Sequence, residues 1–111
     1  MSAVDIKLYV SEREPRLELL QQLITAAAGE AGVEATTEVV TVRTEDEARV
    51  LKSLGSPTIR VNGFDIEYAE REPPETTTGT RYYSTPAGWQ AFPEQGMIVF
   101  AIREALARAR R

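Results

Sequence analysis

The sequence predicts an α/β fold: a mixed four-stranded sheet flanked by helices in the order βαβαββα, with a small extra hairpin before the last helix. Three observations predict it. Val4, Ile6, Leu8 and Val10 alternate with Asp5, Lys7 and Tyr9, the period of a strand with one buried face. Leu17, Leu20, Ile24 and Ala27 then recur at helical spacing, and strand and helix patterns keep alternating along the chain. Leu54 to Gly63 packs a helix stop, a proline-led strand and a hairpin turn into one run. With 111 residues, the chain reads as a single domain, 1–111, long enough to bury a core.

The first strand runs from Val4 to Val10. Ser11 with Glu14 fits a capping box, and Pro15 prefers the first helical position, so the first helix is expected to begin near Glu14. Gly29 and Gly32 are expected to end it. A second strand covers Glu38 to Val42. Thr44 and Glu47 form another capping box, opening a short helix lined by Ala48, Leu51 and Leu54, with Gly55 as its stop. Ser56-Pro57 leads into a β-branched strand, Thr58 to Val61, because proline is tolerated at a strand's first residue. Asn62-Gly63 suits a type I′ turn, where both central residues need positive φ, and Phe64 to Tyr68 is the returning strand. Residues 69–79, acidic and then rich in proline and threonine, read as a loop. Residues 81–92 read as the extra hairpin; the last helix starts at Pro93 and is marked by Ile98, Ile102, Ala105, Leu106 and Ala109.

Composition removes several classes of chemistry. There is no cysteine, so disulfides, thiol nucleophiles and thiolate metal sites are excluded, and there is no histidine, the commonest general base. A net charge of −4 argues against nucleic acid as a partner. The longest apolar run, Met97 to Ile102, is too short to span a bilayer, and no secretory leader pattern opens the chain. The expectation is a cytoplasmic protein with no membrane partner and no cofactor. Glu67, Glu70, Glu72 and Glu75 offer oxygen ligands, but their spacing matches no metal-binding loop, so no metal is expected.

The run Gly55-Ser56-Pro57-Thr58-Ile59-Arg60-Val61-Asn62-Gly63 resembles the cis-proline segment of thioredoxin-fold proteins. The chain as a whole resembles a family of small bacterial thioredoxin-like proteins. That family carries a Cys pair after the first strand, then this Gly-Ser-Pro-Thr segment, then a Cys-Arg-x-Tyr segment. The resemblance implies a sheet in which the first strand is central, the first two strands are parallel and the strand after Gly63 lies at an edge. It also implies a cis Ser56–Pro57 bond, and a functional pole where the turn after the first strand meets the residue before that proline. Here Arg13-Glu14-Pro15-Arg16 stands where the Cys pair would be, and Thr80-Arg81-Tyr82-Tyr83 where the later Cys would be. Both thiol positions are lost, so thiol–disulfide exchange is excluded.

Two arginines one turn apart at a helix N-terminus suit an anion, because free backbone N–H groups and a partial positive charge already point there. Glu12 and Glu14 would neutralise them locally, and the plain alternative is a solvated turn with surface ion pairs worth about 0–1 kcal/mol each. The cis geometry implied by the resemblance would expose the Ser56 backbone to an extended, glutathione-like ligand. Tyr82, Tyr83, Trp89 and Phe92 cluster on the insertion, either as a satellite core or as an aromatic wall over the pole. The expected binding residues are therefore Ser11, Glu12, Arg13, Arg16, Ser56, Pro57, Tyr82 and Trp89, for a small anionic or peptide-like molecule. Two alternatives stay open. One is a protein-interaction module using the edge strand and the aromatic insertion, with another protein or a second copy of the chain as partner. The other is a cofactor-free acid–base isomerase, cyclase or lyase of a biosynthetic pathway, in which Glu12, Glu14 or Asp65 would serve as base if buried; nothing in the sequence selects among them.

Overall fold

A computed structural model describes residues 3–110. Its elements run β1 (Ala3–Ser11), α1 (Leu17–Ala31), β2 (Glu34–Val42), α2 (Glu45–Leu51), β3 (Leu54–Ser56), β4 (Thr58–Val61), β5 (Phe64–Asp65), β6 (Thr77–Thr80), β7 (Tyr83–Thr85), β8 (Gly88–Gln90) and α3 (Gln95–Ala109). The main sheet has four strands in the order β2-β1-β4-β5. β1 is parallel to β2 and antiparallel to β4, and β5 closes one edge. The chain is thus α/β, with a mixed sheet in the strand order expected.

Alternation along β1 decides where the layers go. Val4, Ile6, Leu8 and Val10 are all buried and meet Leu20, Ile24 and Ala27 of α1 and Ile98, Ile102 and Ala105 of α3. Both long helices therefore cover one face of the sheet. On the other face, among the described residues, Tyr9 and Val42 pack with Ala48 of α2 in a small cluster. Asp5 and Lys7, on that same face of β1, stay exposed. One side of the sheet is a core and the other is largely open.

Several boundaries differ from the sequence reading. α1 begins at Leu17, because Ser11 extends β1 and the Ser11–Glu14 capping box does not form; the Glu14 carboxylate accepts from the Arg16 N–H instead. Gly29 lies inside α1, and Gly32 at φ 72° ends it. β2 starts at Glu34 rather than Glu38, since it pairs with the whole of β1. The Thr44 cap is present, its hydroxyl accepting from Glu47 N–H at 3.0 Å. α2 is ended by Lys52 in the left-handed region (φ 58°), so Leu54 and Gly55 belong to β3 and not to a helix.

Gly55 has a different reason to be glycine. Its φ is 116°, and a Cβ there would sit 2.8 Å from the Gly79 carbonyl oxygen and 3.0 Å from Arg81 Cβ. The close neighbour is β6, which pairs in parallel with β3. So the threonine-rich half of the segment read as loop is a strand. Asn62 and Gly63 both have positive φ, as the turn requires. The return strand is only Phe64–Asp65, because the Asp65 carboxylate accepts from Glu67 and Tyr68 N–H and turns the chain away. The extra hairpin is present as β7–β8, and α3 opens at Gln95, two residues past Pro93.

Candidate functional site

The Ser56–Pro57 bond is cis, and around it the expected pole assembles from β1, the turn after it and β3. Glu14 is its centre. Its side chain is only 4% exposed, although the turn it sits on is at the surface. Oε1 accepts from Ser56 Oγ at 2.8 Å and Arg16 Nη2 at 3.0 Å, and Oε2 accepts from Arg16 Nε at 2.9 Å and Arg16 N at 3.0 Å. Ser56 Oγ in turn accepts from Ser11 N–H at 2.9 Å. Arg16 uses its remaining nitrogen, Nη1, to donate to the Ala91 carbonyl at 2.6 Å, and its guanidinium lies 5.5 Å from the centre of the Phe92 ring.

This closed network sets the electrostatics. The Arg16 side-chain hydrogen bonds, against the opposing effect of burial and helped by the Arg16 N–H and the Ser56 hydroxyl, bring the Glu14 carboxyl down from 4.5 to about 2. A carboxylate held so low is a poor proton acceptor near neutrality, so Glu14 is a structural anion and not a base. Asp65 is unsuited for another reason: both its oxygens are occupied by Arg81 and by two backbone N–H groups.

The backbone flanking the cis bond is also engaged. Ser56 C=O accepts from Arg81 N–H at 3.0 Å, and Pro57 C=O accepts from the Tyr83 hydroxyl at 2.7 Å. The carbonyl expected to meet an extended ligand therefore meets the chain's own residues after β6. Of the residues expected to bind, Ser11, Arg16 and Ser56 are joined through Glu14 and the Ser11–Ser56 bond, and Pro57 is held by Tyr83. Glu12 and Arg13 stay exposed on the turn, with no carboxylate or guanidinium partner among the described residues. The aromatic cluster splits. Tyr83 is fully buried and Phe92 packs against the core, whereas Tyr82 and Trp89 are 56% and 71% exposed. The register Ser84↔Trp89 puts Tyr82, Ser84 and Trp89 on the outer face of the hairpin, whose base Arg16 ties to the pole.

Sequence reasoning named Asp65 as a possible base and Arg81 by its place in the later segment, but did not foresee that the two pair. Arg81, 3% exposed, binds Asp65 through two nitrogens at 2.5 and 2.6 Å and stacks 4.2 Å from the centre of the Tyr83 ring. Burial, the largest single effect, opposes its charge, but the Asp65 hydrogen bonds together with the electrostatic effects of Tyr83, Asp65 and Glu67 outweigh it and raise the Arg81 pKa, while burial pushes the Tyr83 phenol up. Glu67 stands 3.6 Å away, with one oxygen and the Arg81 Nε left without partners. The only sequence signal was the Arg81-Tyr82-Tyr83 order. A cavity of about 680 Å³ was not foreseen either: it lies on the open face of the sheet, away from the pole.

Among the described residues no helix is long and apolar enough to cross a membrane, and no three acidic side chains converge to hold a metal ion. Comparison with protein-family models, with curated proteins and with solved structures gave no match.

Proposed function

We propose that this chain is a non-redox, thioredoxin-like binding protein that holds a small anionic or peptide-like molecule where α1 begins beside the β7–β8 hairpin. The fold reading is supported by the strand order β2-β1-β4-β5 with β1 and β2 parallel, and by the cis Ser56–Pro57 bond before β4. The observation that carries the binding reading is an open helix start. Arg16 occupies the N-cap without any side-chain cap, and Arg13 stands exposed just before it. Uncapped N–H groups of a first turn with an adjacent guanidinium favour an oxyanion. Glu12 and Glu18 flank that turn, so the anion is held by directed hydrogen bonds and not by net charge. Tyr82 and Trp89 supply apolar contact for the remainder of the molecule.

An amide NMR titration with inorganic phosphate, glutathione and small carboxylates tests this. Saturable shifts at Arg13, Leu17 and Glu18, lost in Arg13→Ala, are expected. Arg16 is left intact because its loss would release the hairpin. If those amides stay still for every probe, the reading is wrong.

The exposure of Trp89 and Tyr82 favours a second reading, a protein-interaction module, since such side chains are common binding hot spots. The edge it was expected to use is reduced to the two residues Phe64–Asp65, so the hairpin must carry it. Tyr82→Ser with Trp89→Ser would then abolish self-association in sedimentation experiments; a wild-type monomer at all concentrations removes the dimer version.

A further inference from the structure

We propose that the groove on the open face of the sheet is a separate binding site for a small organic oxyanion, a carboxylate or a phosphate monoester, centred on Lys7 and Arg60. These two residues are direct cross-strand partners in the antiparallel β1–β4 pair. Their side chains share the face that the long helices leave uncovered, and both line the cavity of about 680 Å³. Like charges directly opposite each other on neighbouring strands repel. Neither is relieved by a carboxylate among the described residues: Glu38, next to Lys7 across β1–β2, makes no ion pair with it.

Arg60 is also fixed in place. Nη1 donates to Leu51 C=O at 2.9 Å, Nη2 donates to Lys52 C=O, and the guanidinium lies 4.9 Å from the centre of the Tyr9 ring. A guanidinium has five N–H donors, so those two bonds leave about three for a ligand. Three of the four acidic residues of the groove wall are committed elsewhere, and the fourth, Asp5, is exposed two residues from Lys7 on the same face and makes no ion pair with it. Asp65 is taken by Arg81, Glu72 by Lys52 at 3.0 Å and Glu70 by Arg108 at 3.5 Å. Lys7 and Arg60 therefore outnumber the one uncommitted carboxylate of the groove wall, Asp5, in a chain of net charge −4. Its volume falls within the range of about 300–1,000 Å³ usual for small-molecule sites, and Leu54 and Phe64 offer apolar wall for a short carbon skeleton.

The site shares no lining residue with the α1 pole, so each can fail without the other. The test is an amide NMR titration of the full chain with inorganic phosphate in one arm and succinate in the other, into the millimolar range. Saturable shifts at Lys7, Arg60 and Asn62 in either arm are expected, and the responding arm identifies the oxyanion. Lys7→Gln should weaken binding about tenfold, as loss of a charge-assisted hydrogen bond does, and raised salt should weaken it further. Arg13→Ala should leave it unchanged. Arg60→Gln is informative only if folded; Lys7→Glu, a change at an exposed position, keeps the test decisive without it. Still amides in both arms, or wild-type affinity in both Lys7→Gln and Lys7→Glu, would overturn the proposal.

Discussion

Replacing Glu14 by glutamine should remove an acid-dependent part of the stability. The carboxyl moves from 4.5 in the unfolded chain to about 2 in the folded one. At about 1.4 kcal/mol per pH unit, that difference contributes about 3 kcal/mol at neutral pH, an order-of-magnitude figure for a side chain that is nearly buried. The sign follows from a depressed folded value. The contribution is complete above pH 4.5 and is lost as pH falls toward 2, with about 2 kcal/mol gone by pH 3. Urea unfolding of wild type and Glu14→Gln, followed by Trp89 fluorescence or far-UV circular dichroism, checks it. The variant should be less stable by about 2–3 kcal/mol at pH 7, and the gap should shrink steadily below pH 4.5. Glu45, which Thr78 also holds below its ordinary value, titrates in both proteins and cancels in the difference. If the two stabilities fall in parallel on acidification, Glu14 is not held by Arg16 and Ser56 as described.

Arg81→Met should be the most damaging single change, because it strands the Asp65 carboxylate, 4% exposed, without its partner. Breaking a buried pair from one side costs about 3–5 kcal/mol, which lowers the melting temperature by roughly 12–20 °C in a domain of this size. A loss below about 1 kcal/mol would contradict the buried geometry. Gly55→Ala should cost about 1–3 kcal/mol, since a Cβ at φ 116° meets the Gly79 carbonyl oxygen at 2.8 Å. Hydrogen exchange at the Arg81 and Thr77 amides, bonded to Ser56 and Ser53 carbonyls, should quicken in that variant; unchanged protection would mean that β6 does not press on β3.

The elements whose signal is local were readable in the sequence. β1 showed its period of two, the Thr44 cap needed only Glu47 three residues on, and Asn62-Gly63 carries its own turn preference. What escaped depends on contacts far apart in the chain. Gly55 looks like a helix stop until β6, more than twenty residues later, is laid against it. Glu14 fits a capping box until Ser56 and Arg16 compete for its carboxylate. Phe64 to Tyr68 alternates like a strand, but the Asp65 side chain ends it at the second residue by capturing the next amides. The Lys7–Arg60 groove is invisible from sequence for the same reason, since register alone makes those residues neighbours.

Exposure separates scaffold from candidate surface more sharply than residue type does. Arg16 and Arg81 suit anion binding by type, yet one is bound to Glu14 and Ala91 and the other to Asp65. Their guanidinium groups fasten the insertion to the sheet at two points, with Tyr83 closing a third contact onto Pro57. That fastening lets the hairpin present Tyr82 and Trp89 outward without a core of its own beneath them. Arg13, Lys7 and Arg60 differ: no carboxylate among the described residues neutralises them, and Arg60 keeps donors to spare. The proposed ligand chemistry rests on those cations, and substitutions at the fastened ones will report on folding first.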